Sequence, residues 1–309
     1  MNAVKNNTAS VTIATADHRP DRRVGRFAPT PSGPLHLGSL LAAVGSGLDA
    51  GEGVCLLRID DLDTTRCRPE HERTLLRTLD AFSLRYPEPY LRQSVRTEAY
   101  AGALSRLGER VPLFHCDCTR RELTADGGEP CCLKDCRSRS CEATQSALRA
   151  DLSALPRIEV IDRSLGTIVF DPQQQRDVVV RRREGVHAYQ LATVIDDAEQ
   201  GVTDVVRGAD LVTSTGWQLA LQHALGLTPP RYLHLPVVVE ADGSKLAKSR
   251  RSAALEPTQA PRQLRQVFEW LKQDSPPAEI DSASGLLSWM KPRWNPARFA
   301  GLRQVSIET

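Results

Sequence analysis

Two short segments far apart in the chain carry side chains suited to one kind of chemistry, reaction at the phosphates of a nucleotide. The first is Arg26-Phe27-Ala28-Pro29-Thr30-Pro31-Ser32-Gly33-Pro34-Leu35-His36-Leu37-Gly38-Ser39. Its apolar start leads into a Pro/Gly loop, and the loop opens a helical pattern. Backbone N–H groups at a helix start face anions, and the helix dipole favours negative charge there. Gly38 lets a nucleotide lie close to the backbone. His36 can donate a hydrogen bond to phosphate oxygens as charge builds on them. The second segment is Lys245-Leu246-Ala247-Lys248-Ser249. Two lysines and a hydroxyl on a loop suit a pyrophosphate leaving group. Each segment alone also fits an ordinary junction or a basic surface loop; their joint presence is the informative fact.

A third group is thiol-rich. Of eight cysteines, six fall between Cys116 and Cys141. Disulfides are unusual in a reducing compartment, so such a cluster reads better as a metal site.

These groups need a frame to hold them. Val24 to Ala28 predicts a strand, Leu35 to Leu48 a helix thinned on one side by Gly45 and Gly47, and Val54 to Ile59 a second strand. Glu70 to Phe82 and Thr97 to Leu107 read as helices. This β-α-β-α order predicts a parallel sheet. After the cysteines, Ile158 to Ile161, Thr167 to Phe170 and Val178 to Arg183 read as strands of an inserted antiparallel piece. Thr203 to Val206 and Tyr232 to Glu240 read as strands, with a helix from Thr213 to Leu225 between them. Ala241-Asp242-Gly243 then turns the chain into the lysine-rich segment. The remainder is helical, broken by Pro276-Pro277, Pro292 and Pro296. The expected architecture is a doubly wound α/β sheet in two halves, with an insert between them.

The stretch Arg-Phe-Ala-Pro-x-Pro-x-Gly-x-Leu-His-x-Gly resembles the first motif of class I glutamyl- and glutaminyl-tRNA synthetases. Lys-Leu-Ala-Lys-Ser resembles their second, lysine-rich motif. Arg58-Ile59-Asp60-Asp61-Leu62-Asp63 and Val202 to Asp210, with Arg207-Gly208-Ala209-Asp210, look like two segments between them, in family order. The resemblance implies a Rossmann-like catalytic domain that binds ATP with Mg²⁺ and makes an aminoacyl-adenylate. It implies His36 and Lys248 as catalytic residues, and His36, Gly38, Lys245 and Lys248 as ATP contacts. It also implies a glutamate site formed by Arg26, Phe27, Ala28, Pro29, Thr30, Asp60, Tyr189 and Arg207. Arginine suits an acidic substrate because its planar fork of donors matches a carboxylate. Glutaminyl relatives lack the second arginine, so Arg207 favours glutamate. Asp60 stands where the family usually has Glu, one methylene longer. For Tyr189, a half-buried strand tyrosine is the ordinary alternative.

Length points to a short branch of the family. About 60 residues follow the lysine-rich segment, too few for the anticodon-binding domain of a full glutamyl enzyme. The pattern resembles the branch that joins glutamate to queuosine in the anticodon of tRNA(Asp). His36-Leu37-Gly38-Ser39-Leu40 matches its wording, and Trp289 to Phe299 is similar to its C-terminal segment. That branch has a zinc site where Cys116-x-Cys118 and Cys132-x₃-Cys136 stand here. The resemblance implies one structural Zn²⁺ on these four thiolates, with Cys131 and Cys141 as alternatives for the last two positions. The expected layout is a flexible extension over 1–23, a catalytic domain over 24–250 with its insert at about 116–141, and a helical region over 251–309. Two other readings stay open: a trimmed glutamyl-tRNA synthetase charging a tRNA end, and an inactive RNA-binding paralogue.

Composition sets the remaining bounds. Hydrophobic residues make up 40% and charged residues 25% of 309, an ordinary globular balance, and net charge is only +2. No global field announces nucleic acid. From Gly243 onward, though, there are eleven Lys/Arg against six Asp/Glu, which makes that end a candidate phosphate-backbone contact. No apolar run approaches a membrane span, and the N-terminal segment lacks the apolar core of a secretory signal. The expected location is the cytoplasm, and the expected state a monomer.

Overall fold

In the computed structural model, the described residues are 10–12, 23–123, 136–139, 141–240, 243 and 254–306. The frame is a set of parallel strands. β2 (Val24–Phe27), β3 (Val54–Ile59) and β4 (Leu91–Arg92) pair in that order, all parallel. β10 (Asp204–Gly208), β11 (Arg231–Leu235), β7 (Arg157–Asp162) and β1 (Ser10–Thr12) form the other half, again parallel throughout. The halves meet where β2 lies against β10. There the Thr203 N–H donates to Val24 O at 2.9 Å, and the Val24 N–H to Thr203 Oγ1 at 2.9 Å. β2 thus has β3 on one side and β10 on the other. This is the point where strand order reverses, and in open α/β sheets a crevice opens beyond the strand ends there.

The helix α1 (Leu37–Ala50) closes the floor of that crevice. Its Leu40, Leu41, Val44 and Leu48 recur at helical spacing and are buried. His36 is its N-cap, with Nδ1 accepting from the Ser39 N–H at 3.3 Å. Gly51 ends it at φ +58°, where a side chain would be strained. Gly45 has a packing reason. A Cβ there would lie 2.6 Å from Leu235 Cδ1, so its absence lets α1 sit close on β11.

The helices α2 (Pro69–Ala81) and α3 (Thr97–Gly108) follow β3 and β4 as expected. The insert is a separate three-stranded antiparallel sheet of β5 (Leu113–Cys116), β6 (Ala147–Asp151) and β9 (Asp177–Arg181), with the short helix α4 (Arg120–Leu123) after β5. This corrects the sequence reading. β7 and β8 (Gly166–Phe170) form an antiparallel hairpin, but β7 also pairs with β11 in the main sheet. Only the third expected strand belongs to the insert. β7 alternates buried Ile158, Val160 and Asp162 with more exposed positions, a pattern that fits either sheet. Two further elements go beyond the reading. Ser10–Thr12, inside the expected flexible extension, is a strand on β7, and Tyr189–Glu199 is a helix, α5.

α6 (Val212–Leu225) precedes β11, and Pro236 separates β11 from β12 (Val237–Val239), two strands that the sequence read as one. The C-terminal helices α7 (Ala260–Trp270) and α8 (Ala283–Met290) pack Leu264, Val267, Phe268, Leu286 and Met290 into the same core as Leu40 and Val44. At roughly 1.5–3 kcal/mol for each fully buried large apolar side chain, these contacts tie the tail to the catalytic body. The last strand, β13 (Gln304–Ser306), pairs with β12. None of the described helices is long and apolar enough to cross a membrane.

Candidate active site at the crevice between the two half-sheets

Beyond the ends of β2 and β10 lies a cavity of about 210 Å³ lined by His36, Gly38, Ser39, Gly208, Asp210 and Val238, among others. The first of the two segments expected at a nucleotide contributes to it, together with the Arg207-Gly208-Ala209-Asp210 segment. Burial lowers the His36 pKa, so the ring is neutral near pH 7. Its Nδ1 is taken as acceptor by the Ser39 N–H, which leaves the proton on Nε2 as a donor for a phosphate oxygen. A Cβ on Gly38 would come within 3.0–3.1 Å of the imidazole, so glycine leaves that ring its place. Gly208 is as constrained, since a Cβ there would meet Asp210 Oδ1 at 2.4 Å. Asp210, quoted in the sequence only as part of a motif, also lines this cavity.

Lys245 and Lys248 lie outside the described residues. The chain on either side of them is placed, however. It leaves β12, which lines the cavity, and returns at Ala254 and Leu255, which bridge to His36 and to Leu35 O (2.8 Å).

Next to the cavity is a buried charge cluster. Arg26 Nε donates to Asp197 Oδ1 at 3.2 Å. Arg58 donates from Nε to Asp60 Oδ1 at 2.9 Å and from Nη1 to Asp197 Oδ1 at 2.5 Å. Asp196 lies 3.8 Å from Arg58 Nε but takes its hydrogen bonds from Gln93 (2.8 Å), Arg96 (2.7 Å) and Tyr100 (2.9 Å). Neighbouring helix residues point about 100° apart, so α5 serves two sets of partners with two adjacent aspartates. Burial pushes the Asp60 carboxyl up to about 6, against the pull of Arg58. Asp197 is also buried, yet Arg26 and Arg58 hold it below the usual carboxylate range. Arg58 is shared among carboxylates, and Asp60 is the one held less firmly. One buried donor, Arg58 Nη2, has no partner among the described residues.

Arg207 is different in kind. It is only 4% exposed. Its guanidinium donates to Gln218 Oε1 (2.8 Å), Thr215 Oγ1 (2.7 Å) and His234 Nε2 (3.4 Å), all neutral acceptors, and lies 5.5 Å from the Tyr232 ring centroid. His234 is turned by Asp162, which faces its Nδ1 at 2.7 Å and places the proton there. Burial lowers the His234 pKa, so Nε2 is a neutral acceptor for Arg207. Among the described residues no carboxylate bonds to this guanidinium. Asp197 acts on it electrostatically without bonding to it, and an anionic substrate group would supply the bonded charge partner that a buried cation favours.

The other expected residues fall as follows. Asp60 N–H donates to Pro29 O at 3.0 Å, which ties the first loop to the end of β3. Phe27 packs in the core, stacks on Tyr86 at 6.2 Å and also borders the loop cavity. Pro29, Thr30 and His36 share a wall of a second cavity of about 360 Å³, and Ala28 is half-buried between Phe27 and Pro29. Tyr189 opens α5 on the insert side and does not lie on a strand. Arg58, Asp196, Asp197, Thr215, Gln218 and His234 received no role from the sequence. The available signal for the aspartates was an adjacent acid pair, Asp196-Asp197, closing the apolar run Leu191–Ile195.

The thiols of Cys116, Cys118 and Cys136 are buried and lie within 4.8 Å of one another, with Cys118 Sγ 3.6 Å from Cys136 Sγ. Cys132 lies outside the described residues. Cys141, partly buried, packs against the group and forms a second triad with Asp117 and Cys136. Arg137 anchors the region by ion pairs to Asp151 and Asp177 and by its place 4.7 Å over Phe114.

The sequence model described as tRNA synthetases class I (E and Q), catalytic domain, matches residues 23–264. The chain belongs to this family. Its relatives include proteins named Glutamyl-Q tRNA(Asp) synthetase. The one from Pseudomonas fluorescens is 42% identical over 279 residues, 89% of this chain and 92% of the relative. The one from Xanthomonas oryzae is 46% identical over 241 residues, 76% and 78% of the two chains. Within the synthetase family the chain therefore sits with this short branch. Among solved structures, a glutamate-tRNA synthetase from Elizabethkingia anophelis superimposes with a TM-score of 0.74 at 22% identity, over 93% of this chain and 68% of that one. At that identity the likeness concerns the fold, the class I synthetase catalytic domain.

Proposed function

We propose that this synthetase activates glutamate as its adenylate and transfers it to the queuosine base in the anticodon of tRNA(Asp). The observation that carries the activation step is Arg207, a buried guanidinium bonded, among the described residues, only to neutral groups, beside a switch-point cavity with His36 and Gly38. Arg26 and Arg207 receive the substrate's side-chain carboxylate. Asp60, with Tyr189, receives the amino-acid end. A carboxylate oxygen of glutamate attacks the α-phosphorus of ATP, the α–β anhydride bond breaks, and pyrophosphate leaves. His36 Nε2–H, with Lys245 and Lys248, stabilises the charge that develops. Mg²⁺ bound together with ATP would offset the charge of its phosphates. A hydroxyl oxygen of the queuosine cyclopentene ring then attacks the adenylate carbonyl, loses its proton, and expels AMP. Relatives bearing the Glutamyl-Q tRNA(Asp) synthetase name, matched over most of both chains, support this acceptor.

The thiols fit a structural zinc. Three buried sulfurs already converge, and closed tetrahedral sites take thiolate ligands. Cys116, Cys118 and Cys136 would hold the ion with Cys132, and its chemistry there is to crosslink a loop. The reading places the protein in the cytoplasm as a monomer.

The test uses labelled glutamate with purified tRNA(Asp), with and without queuosine, each also trimmed of its 3′-terminal adenosine. Transfer should require queuosine and survive trimming. Transfer to tRNA(Glu), lost on trimming, would establish the trimmed-synthetase reading instead.

A further inference from the structure

A larger cavity stands apart from the one at His36 and Gly38. It measures about 670 Å³ and lies between the insert and the start of α5. That is well within the roughly 300–1,000 Å³ of small-molecule pockets. Its lining includes Tyr189, Gln190 and Trp217 on one side and Arg66, Arg182 and Arg183 on the other. Gln190 accepts from Gln218, which in turn accepts from Arg207. The cavity is therefore joined by two hydrogen bonds to the proposed glutamate-binding arginine.

Its arginines are held at the rim in different ways. Arg66 and Arg182 share Asp63, at 2.7 and 3.6 Å, and their side chains are 66% and 42% exposed. Arg183 donates to the backbone carbonyls of Asp117 and Cys118. These carbonyls belong to the thiol loop, so the fold of that loop sets where Arg183 stands. A fourth lining arginine, Arg149, is buried on Asp177; against the other three the rim offers the shared Asp63 and the exposed Glu184. Trp217, 8% exposed, contributes an indole N–H with no partner among the described residues.

The C-terminal region was the sequence's own candidate for backbone contact, and three of its described cations already have partners within the chain. Arg265 caps Pro276, Pro277 and Ile280 carbonyls, Arg298 pairs with Asp274, and Lys291 with Glu52.

We propose that the cavity beneath the insert receives the single-stranded loop of the acceptor RNA, with Arg66, Arg182 and Arg183 on its phosphates and the Tyr189–Trp217 wall against the accepting nucleotide. This rests on the RNA acceptor of the function proposed above. Loop bases splayed from their stack and held by phosphate contacts are the usual targets of sequence-specific RNA binding. In this arrangement the thiol loop acts on RNA docking by positioning Arg183 and leaves amino-acid activation alone.

The experiment compares wild type with Arg182→Ala, Arg183→Ala, Arg183→Lys and the double alanine variant. Three quantities are read: glutamate-dependent pyrophosphate exchange without RNA, binding of queuosine-containing tRNA(Asp) across a salt series, and KM against kcat for transfer. Exchange at the wild-type level shows that each variant is folded. Each alanine should raise the RNA Kd and KM about tenfold with kcat little changed, and should lower the log–log salt slope by about 0.7–0.9 for each lost phosphate contact. Arg183→Lys should recover the salt slope more fully than the KM, since one ammonium keeps the charge without bridging two carbonyls. Wild-type Kd and salt slope in the double variant would overturn the inference. Absence of exchange or of transfer in the wild type would instead overturn the function on which it rests.

Discussion

Asp60 gives the sharpest test of the buried cluster, because stability and function should move in opposite directions. Its carboxyl titrates at about 6 because burial outweighs the Arg58 pairing, whereas a free aspartate titrates near 3.9. A folded-state value raised above the unfolded one means that this group favours folding fully below about pH 4. That contribution is lost as the pH rises through about 6. The gap is about two pH units, and at about 1.4 kcal/mol per unit the folded state gives up on the order of 3 kcal/mol at pH 8. Asp60→Asn cannot ionise, and its Oδ1 can still accept the Arg58 Nε–H now 2.9 Å away. The variant should therefore be at least as stable as wild type at pH 8, by up to about 3 kcal/mol, with the difference vanishing near pH 4. It should also bind glutamate poorly, because the ammonium loses its counter-charge. In wild type the KM for glutamate should rise about fivefold from pH 6 to pH 5 as Asp60 takes up its proton. In the variant that rise should be absent. Urea unfolding at several pH values and pyrophosphate exchange at varied glutamate measure both sides. An Asp60→Asn variant several kcal/mol less stable than wild type at pH 8, with an unchanged glutamate KM, would refute the reasoning: Asp60 would then be a firmly ionised structural partner of Arg58.

Two further outcomes follow from the cavity and the thiols. Gly208→Ala should raise the KM for ATP about tenfold and leave that for glutamate near its original value, because a Cβ would displace Asp210 Oδ1 from 2.4 Å; pyrophosphate exchange at varied ATP checks it. Cys118→Ser should lower zinc content below one ion per chain, by metal analysis of protein made with ample zinc. It should also make the insert easier to proteolyse, with glutamate activation largely kept, since the metal has no assigned chemical step.

The linear order of residues determined much of this protein by itself. The switch-point loop was legible because a strand, a Pro/Gly turn and a helix start are local events, each set by residues a few positions apart. His36 and Gly38 were legible as members of that loop for the same reason, whereas the constraint on Gly208 appears only in the structure. The parallel frame was legible because an apolar strand run followed by an amphipathic helix admits few arrangements. The thiol site was legible as a cluster, since Cys116, Cys118 and Cys136 are close in sequence as well as in space. What the tertiary structure alone decided is who partners whom across long separations. Arg26 and Arg58 meet Asp197 at separations of 171 and 139 residues. Arg207 is set by Thr215, Gln218 and His234, none of which has a residue type that announces a role. β7 could have joined either antiparallel neighbours or the main sheet, because alternating burial satisfies both. Packing against β11 settled it. The same is true of charge. The sequence counted cations and pointed to the C-terminal region, but a count does not say which cations are already paired. Folding bonds Arg265 to three carbonyls, pairs Arg298 and Lys291 at the surface, and gathers Arg66, Arg182 and Arg183 at the rim of an open cavity.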